Sequence, residues 1–149
     1  MEIILTRIKP QFKSMRKLFS VRFTNGSVNF SLLVIRLVFG ILLMTHGWMK
    51  IENFSQMSGS FPDPFHVTSK ISLTLVIFAE VFCAGLAVIG LFTRLAAIPV
   101  IICMCVIVFM IHGNDAVAKQ EPGMMYLASF FVLLLCGPGR FSLDSLIWK

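Results

Sequence analysis

The sequence predicts an all-α fold: an integral membrane four-helix bundle, up-and-down, with both termini cytoplasmic. Three observations predict it. Of 149 residues, 57% are apolar and only 13% are charged, about half the charge of an ordinary soluble domain. The apolar residues gather into four segments near the ~20 residues that a spanning helix needs. Lys and Arg are distributed unequally between alternate ends of those segments. Such a chain excludes disordered and disulfide-dense secreted classes, and there is no length for a second soluble domain.

The domain reading is a basic, amphipathic segment over residues 1–27 followed by a four-helix membrane domain over 28–149. Six of the 13 basic residues precede residue 23: Arg7, Lys9, Lys13, Arg16, Lys17 and Arg22. Beside a membrane segment they fix orientation and attract anionic lipid, so the net charge of +6 does not signal nucleic-acid binding. Phe12, Met15, Leu18 and Phe19 recur at helical spacing among these cations, as in a helix lying on the membrane surface.

The first span is expected from about Phe30 to Met49, too long and uncleavable for a signal peptide. A loop with Pro62 and Pro64 follows. The second span covers about Ile71 to Phe92, and a tight turn at Gly90–Arg94 leads into the third, about Leu95 to Ile111. The fourth covers about Met124 to Cys136, with Pro122 in its first turn and Gly137-Pro138-Gly139 as its stop. With the N-terminus inside, the inner side carries the six tail cations plus Arg94, Arg140 and Lys149. The outer side carries Lys50, Lys70 and Lys119, and this imbalance places both termini in the cytoplasm.

Charges within a span are costly, so they normally face the bundle interior and have a partner. Arg36 in the first helix and Glu80 in the second are expected to form a buried pair that fixes helix register or manages a proton. Arg36, Gly40, Leu43, Gly47 and Lys50 share one stripe of the first helix, and Glu80, Ala84 and Ala87 share one of the second. Such small residues let helices approach closely. His46, Lys50, His112 and Tyr126 are expected at similar depth near the outer face, either as interfacial anchors or as the mouth of a pocket for a small amphipathic molecule such as a quinone head group. Bis-histidine haem ligation by His46 and His112 is conceivable in a bundle. Both residues end their helices, however, so haem is not expected. Cys83, Cys103, Cys105 and Cys136 lie in apolar segments without a C-x-x-C pair, as buried hydrophobes do, and no metal site is expected.

The stretch RLVFGILLMTHGWMKIENF, the stretch AEVFCAGLAVIGLFTRLAA and the closing CGPGRFSLD, in that order, resemble the motifs of the DoxX family. The family-like positions are Arg36, His46, Gly47, Lys50, Glu80, Gly90, Thr93, Arg94, Gly137, Pro138, Gly139, Arg140 and Asp144. The resemblance implies a four-helix protein of the bacterial inner membrane that acts as the membrane subunit of a quinone-linked redox or oxidative-stress system. Any enzymatic role would be non-autonomous, since no soluble catalytic domain is present, and a redox partner or a second copy would complete it. Two other roles remain open at this point: a non-catalytic scaffold or assembly factor that recruits a partner, and a small proton-coupled transporter. Arg94 and Arg140 read more simply as cations at inner helix ends. Ser142 and Asp144 read as caps of a short final turn.

Overall fold

The computed structural model describes residues 23–148, so the basic segment expected before them lies, up to residue 22, outside the described residues. Four helices dominate: α1 Asn25–Glu52, α2 Ser69–Ile89, α3 Thr93–Ile111 and α4 Val117–Cys136. Single helical turns occur at Phe54–Met57 and Asp144–Ile147. Each helix packs on its neighbour in sequence and α4 closes against α1, the α1–α2 and α3–α4 contacts being the most extensive. α1 therefore lies diagonal to α3, as an up-and-down bundle requires.

Local chemistry sets the ends. Thr24 and Ser27 form a reciprocal capping box at the start of α1. α2 ends at Gly90, whose φ of 74° is left-handed. The amides of Gly90 and Leu91 return to the carbonyls of Ala87 and Leu86, a Schellman closure that favours glycine at this position. α1, α2 and α3 are long and apolar enough to cross a membrane. α4 has the length of a span, but it begins seven residues before the predicted start and opens with Lys119, Gln120 and Glu121. Pro122 consequently sits inside α4 rather than in its first turn. The polar opening is held by Gln120, which donates to the carbonyl oxygens of His112 and Asp115.

The core lies along the bundle axis: Leu43, Cys83, Ala84, Ala87, Ala97, Val100, Met104, Phe130 and Leu133 are buried. The buried stripe of α1 is Leu32, Arg36, Gly40, Leu43 and Gly47; it contains four of the five positions that the sequence spacing predicts, begins a turn earlier at Leu32, and leaves Lys50 partly exposed. Its glycines set the distance to α2. A Cβ on Gly40 would lie 2.5 Å from Val88 Cγ2, and one on Gly47 would lie 2.5 Å from Val81 Cγ2 and 2.9 Å from Glu80 Cβ. These contacts fix an antiparallel register in which Gly47 faces Glu80, Gly40 faces Ala84 and Val88, and Arg36 faces Gly90.

Candidate functional site

Two polar groups are buried in the bundle, and they are separate. The first lies at the end where α2 turns into α3. Arg36, 2% exposed, donates from Nη1 to the carbonyl oxygen of Pro138 (2.8 Å) and from Nη2 to that of Phe141 (2.6 Å). The Asp144 carboxylate accepts from the amides of Phe92 and Thr93, at 2.7 and 2.9 Å, and thereby caps α3. The amide of Asp144 donates to the Gly90 carbonyl. Arg94 donates to the Leu135 carbonyl at the end of α4, and the Arg140 amide donates to Asn29 Oδ1 of α1. The chain after α4 thus knots α1, the α2–α3 turn and α4 together. Ser142 caps the final turn as expected, accepting from the Ser145 amide, whereas Asp144 caps a distant helix instead.

The second group is centred on Glu80, also 2% exposed. The expected Arg36–Glu80 pair is not formed. Glu80 Oε2 accepts from Lys50 Nζ at 2.5 Å. The reason is register: Glu80 is level with Gly47, eleven residues beyond Arg36 on α1, which is ~16 Å along a helix. Lys50 is only three residues past Gly47, and its stem reaches back to the carboxylate. The Lys50 side chain keeps 21% exposure against 3% for that of Glu80, so the pair touches its surroundings through the lysine.

Glu80 lies in a π-helical turn, Phe78–Cys83, within α2. Such turns interrupt the regular ladder and often mark functional positions. His46 is within electrostatic reach of Glu80, and so is Tyr126 of α4. His46 and Tyr126 meet edge-to-face with ring centroids 5.9 Å apart, and Phe39 meets the other side of Tyr126 at 6.1 Å. Three of the four predicted binding residues, His46, Lys50 and Tyr126, therefore gather around Glu80. His112 does not belong with them. Its Nδ1 bonds Asp115 Oδ2 at 2.8 Å in the α3–α4 connection. The His112 hydrogen bond, aided by Lys119, holds the Asp115 carboxyl below the usual carboxylate range despite some desolvation.

The cavity is also not where the sequence suggested. None of His46, Lys50, His112 and Tyr126 lines it. A cavity of about 300 Å³ lies between α2 and α3 under the Phe61–Phe65 stretch, walled by Ala79, Pro99, Cys103 and Val106 among others. Asp63 fixes that stretch by accepting from the amides of Val67 and Thr68 and from the Ser72 hydroxyl. Among the described residues no cluster of His, Cys, Asp and Glu could hold a metal ion, and the four cysteines are free.

Apolar helices long enough to span a bilayer, packed as a bundle around a buried ion pair, define a multi-pass helical membrane protein. The DoxX family profile matches residues 31–113, more than half of the chain. The inner membrane protein YqjF of Escherichia coli (strain K12) is 31% identical over 124 residues, covering 78% of this chain and 92% of that protein. An uncharacterized protein of Haemophilus influenzae is 26% identical over 107 residues, covering 68% of this chain and 71% of its own. No solved structure matches. The chain belongs to the DoxX family and is a multi-pass protein of the inner membrane.

Proposed function

We propose that the chain is the membrane subunit of a quinone-linked redox or oxidative-stress system, with Glu80 and Lys50 as its proton-handling centre. The supporting observation is the Lys50–Glu80 pair itself. A carboxylate inside a span is retained at a cost of several kcal/mol unless it is paired. The register of α1 on α2 is already set by glycine packing, and the bundle end is tied by Arg36 and Asp144 without Glu80. Glu80 is thus free of a structural task, and its lysine partner meets the surroundings.

A bound quinone supplies two-electron chemistry coupled to proton transfer. The residues fit such a head group: Glu80 accepts or returns a proton, Lys50 compensates the carboxylate charge, and the rings of His46 and Tyr126 give an edge on which a planar group can lie. Arg36 has no part in the proton step and acts as a clamp on the chain after α4. Electrons would come from a partner. The test is an absorption difference spectrum of the purified protein together with quinone extraction. A near-ultraviolet change tracking extracted quinone is expected, and Glu80→Gln should insert normally yet lose the linked activity. Full activity in Glu80→Gln would end the proton role.

A scaffold reading draws on a different feature. Only 22% of the most apolar window of α1 is buried, the least of the three clear spans. This leaves a long face for another membrane helix. It is tested by isolating the chain in mild detergent: a stoichiometric partner lost on Leu37→Arg or Ile41→Arg favours it, and an unaccompanied chain with bound quinone rejects it.

A further inference from the structure

The cavity between α2 and α3 borders the turn of α2 that carries the buried ion pair. Ala79 walls the cavity and its neighbour Glu80 points to Lys50. On α3, Cys103 lines the cavity and lies within electrostatic reach of both Glu80 and Lys50. The two spaces therefore meet at Ala79, Glu80 and Cys103, all small or belonging to the π-helical turn.

The cavity is lined almost wholly by carbon. It continues past Phe78 and Pro99, which also border a second cavity of about 230 Å³ running toward Phe92 and Leu95 at the inner turn. Together they follow the α2–α3 seam from Ser72 to Leu86 on α2, ~21 Å of helix. The floor is made of small or ring-closed residues, Ala79, Cys83, Ala96 and Pro99. The rims are large and exposed: Leu75, Phe78 and Phe82 on one side, Leu95, Ile98 and Ile102 on the other. A seam of this shape, lying within the spans, is open to the bilayer rather than to water.

We infer that the ligand of the Glu80–Lys50 site is a lipid-soluble amphiphile that arrives from the bilayer along the α2–α3 seam, seating its apolar tail in the seam and its polar head beside Cys103, against the ion pair. Two features carry the choice. Among the described residues two charged groups adjoin the apolar cavity: Asp63, whose carboxylate is engaged by Val67, Thr68 and Ser72, and Glu80 with its Lys50 partner, so the hydrogen-bonding end of a molecule with a hydrocarbon body is best matched beside Ala79 and Cys103. Between α1 and α4, Phe39 and His46 each meet Tyr126 edge-to-face, so that side offers ring edges to a head group rather than a tail-length seam. Cys103 is a positioning residue here: its side chain sets the width of the passage between tail chamber and head site.

This inference rests on the proposed function and is tested so that the two can fail separately. Decylubiquinone is titrated calorimetrically into the full chain in nanodiscs of phosphatidylethanolamine and phosphatidylglycerol. Val106→Trp fills the cavity, and Leu75→Trp narrows its rim from an exposed position that leaves packing intact. Leu42→Trp, on the lipid-facing side of α1, is the control. Each seam variant should weaken binding about tenfold, as expected for displacing roughly two methylenes of tail from the site, and the control should bind as the parent does. Parent-like binding in Leu75→Trp and Val106→Trp overturns the seam while leaving the quinone reading intact. No binding by the parent protein overturns both. A loss on His46→Phe with both seam variants unaffected places the ligand between α1 and α4 and overturns the inference.

Discussion

At the residue scale the molecule separates two charges that the sequence invites one to pair. Arg36 donates from both terminal nitrogens to carbonyl oxygens, and Glu80 accepts from Lys50. Groups this far apart without shared partners contribute independently, so Arg36→Ala and Glu80→Gln should destabilise additively within ~0.5 kcal/mol in a double-mutant cycle of thermal unfolding. Coupling above ~1 kcal/mol would restore the Arg36–Glu80 pair. The Lys50–Glu80 cycle should behave in the opposite way. Lys50→Met leaves a buried carboxylate unpaired and should cost about 3 kcal/mol, the low end for breaking a buried pair because the lysine is partly exposed. Adding Glu80→Gln should recover most of that loss, and an unrelieved double variant would mean the pair contributes nothing specific.

At the scale of elements, register does the positioning. Gly47 and Gly40 both face α2 and a Cβ on either meets a valine methyl at 2.5 Å, but one on Gly47 also meets Glu80 at its Cβ and backbone carbon, 2.9 and 3.2 Å away, whereas at Gly40 the next atoms, the Ala84 carbonyl oxygen and Val88 Cβ, lie at 3.5 and 3.7 Å. Gly47→Ala should therefore cost more, about 2 kcal/mol as overpacking of a close helix contact, and should displace Glu80 from Lys50. Equal melting shifts for the two alanine variants would contradict this packing. The loop between α1 and α2 has its own anchor in Asp63. Desolvation raises its pKa, but the Ser72 hydroxyl, the Thr68 and Val67 amides and nearby His66 outweigh that and hold it below 3.8. A depressed folded pKa stabilises above the unfolded value and is lost as pH falls through the folded one. Protection of the Val67 and Thr68 amides, measured against their intrinsic exchange rates, should thus be high near neutrality and be lost only in acid, below the usual carboxylate range, and Asp63→Asn should lower it at neutral pH. The spans were legible because apolar runs of this length have few alternatives. The start of α4 was not, because its first turn is polar and is held by Gln120 rather than by apolar burial.

At the scale of the whole molecule, we propose that four crossings put both ends on one side, which the sequence's excess of Lys and Arg would make the cytoplasmic one. Reporter fusions at both ends should read cytoplasmic, and opposite readings would remove α4 from the set of spans. The site was legible in part. Glu80 and Arg36 stood out as charges within spans, and Lys50, His46 and Tyr126 stood out by depth. Their partners did not, because depth was counted from helix ends. The glycine contacts show that those ends are not flush: Gly47, five residues from the end of α1, lies level with Glu80, eleven residues into α2. The closing Gly-Pro-Gly-Arg-Phe segment carried no sign that two of its carbonyls, those of Pro138 and Phe141, hold Arg36. Backbone oxygens have no side-chain signature.

The clamp on Arg36 has a consequence for how the protein is made. Its acceptors, Pro138 and Phe141, lie 102 and 105 residues downstream. The first span therefore enters the bilayer with a bare guanidinium, and no nascent chain lacking the closing segment can shield it. An unshielded cation in a span is costly, so an interrupted or truncated product stays poorly integrated and open to membrane proteases. Completion of synthesis and completion of folding become one event, and only finished chains are worth keeping by the cell's quality control.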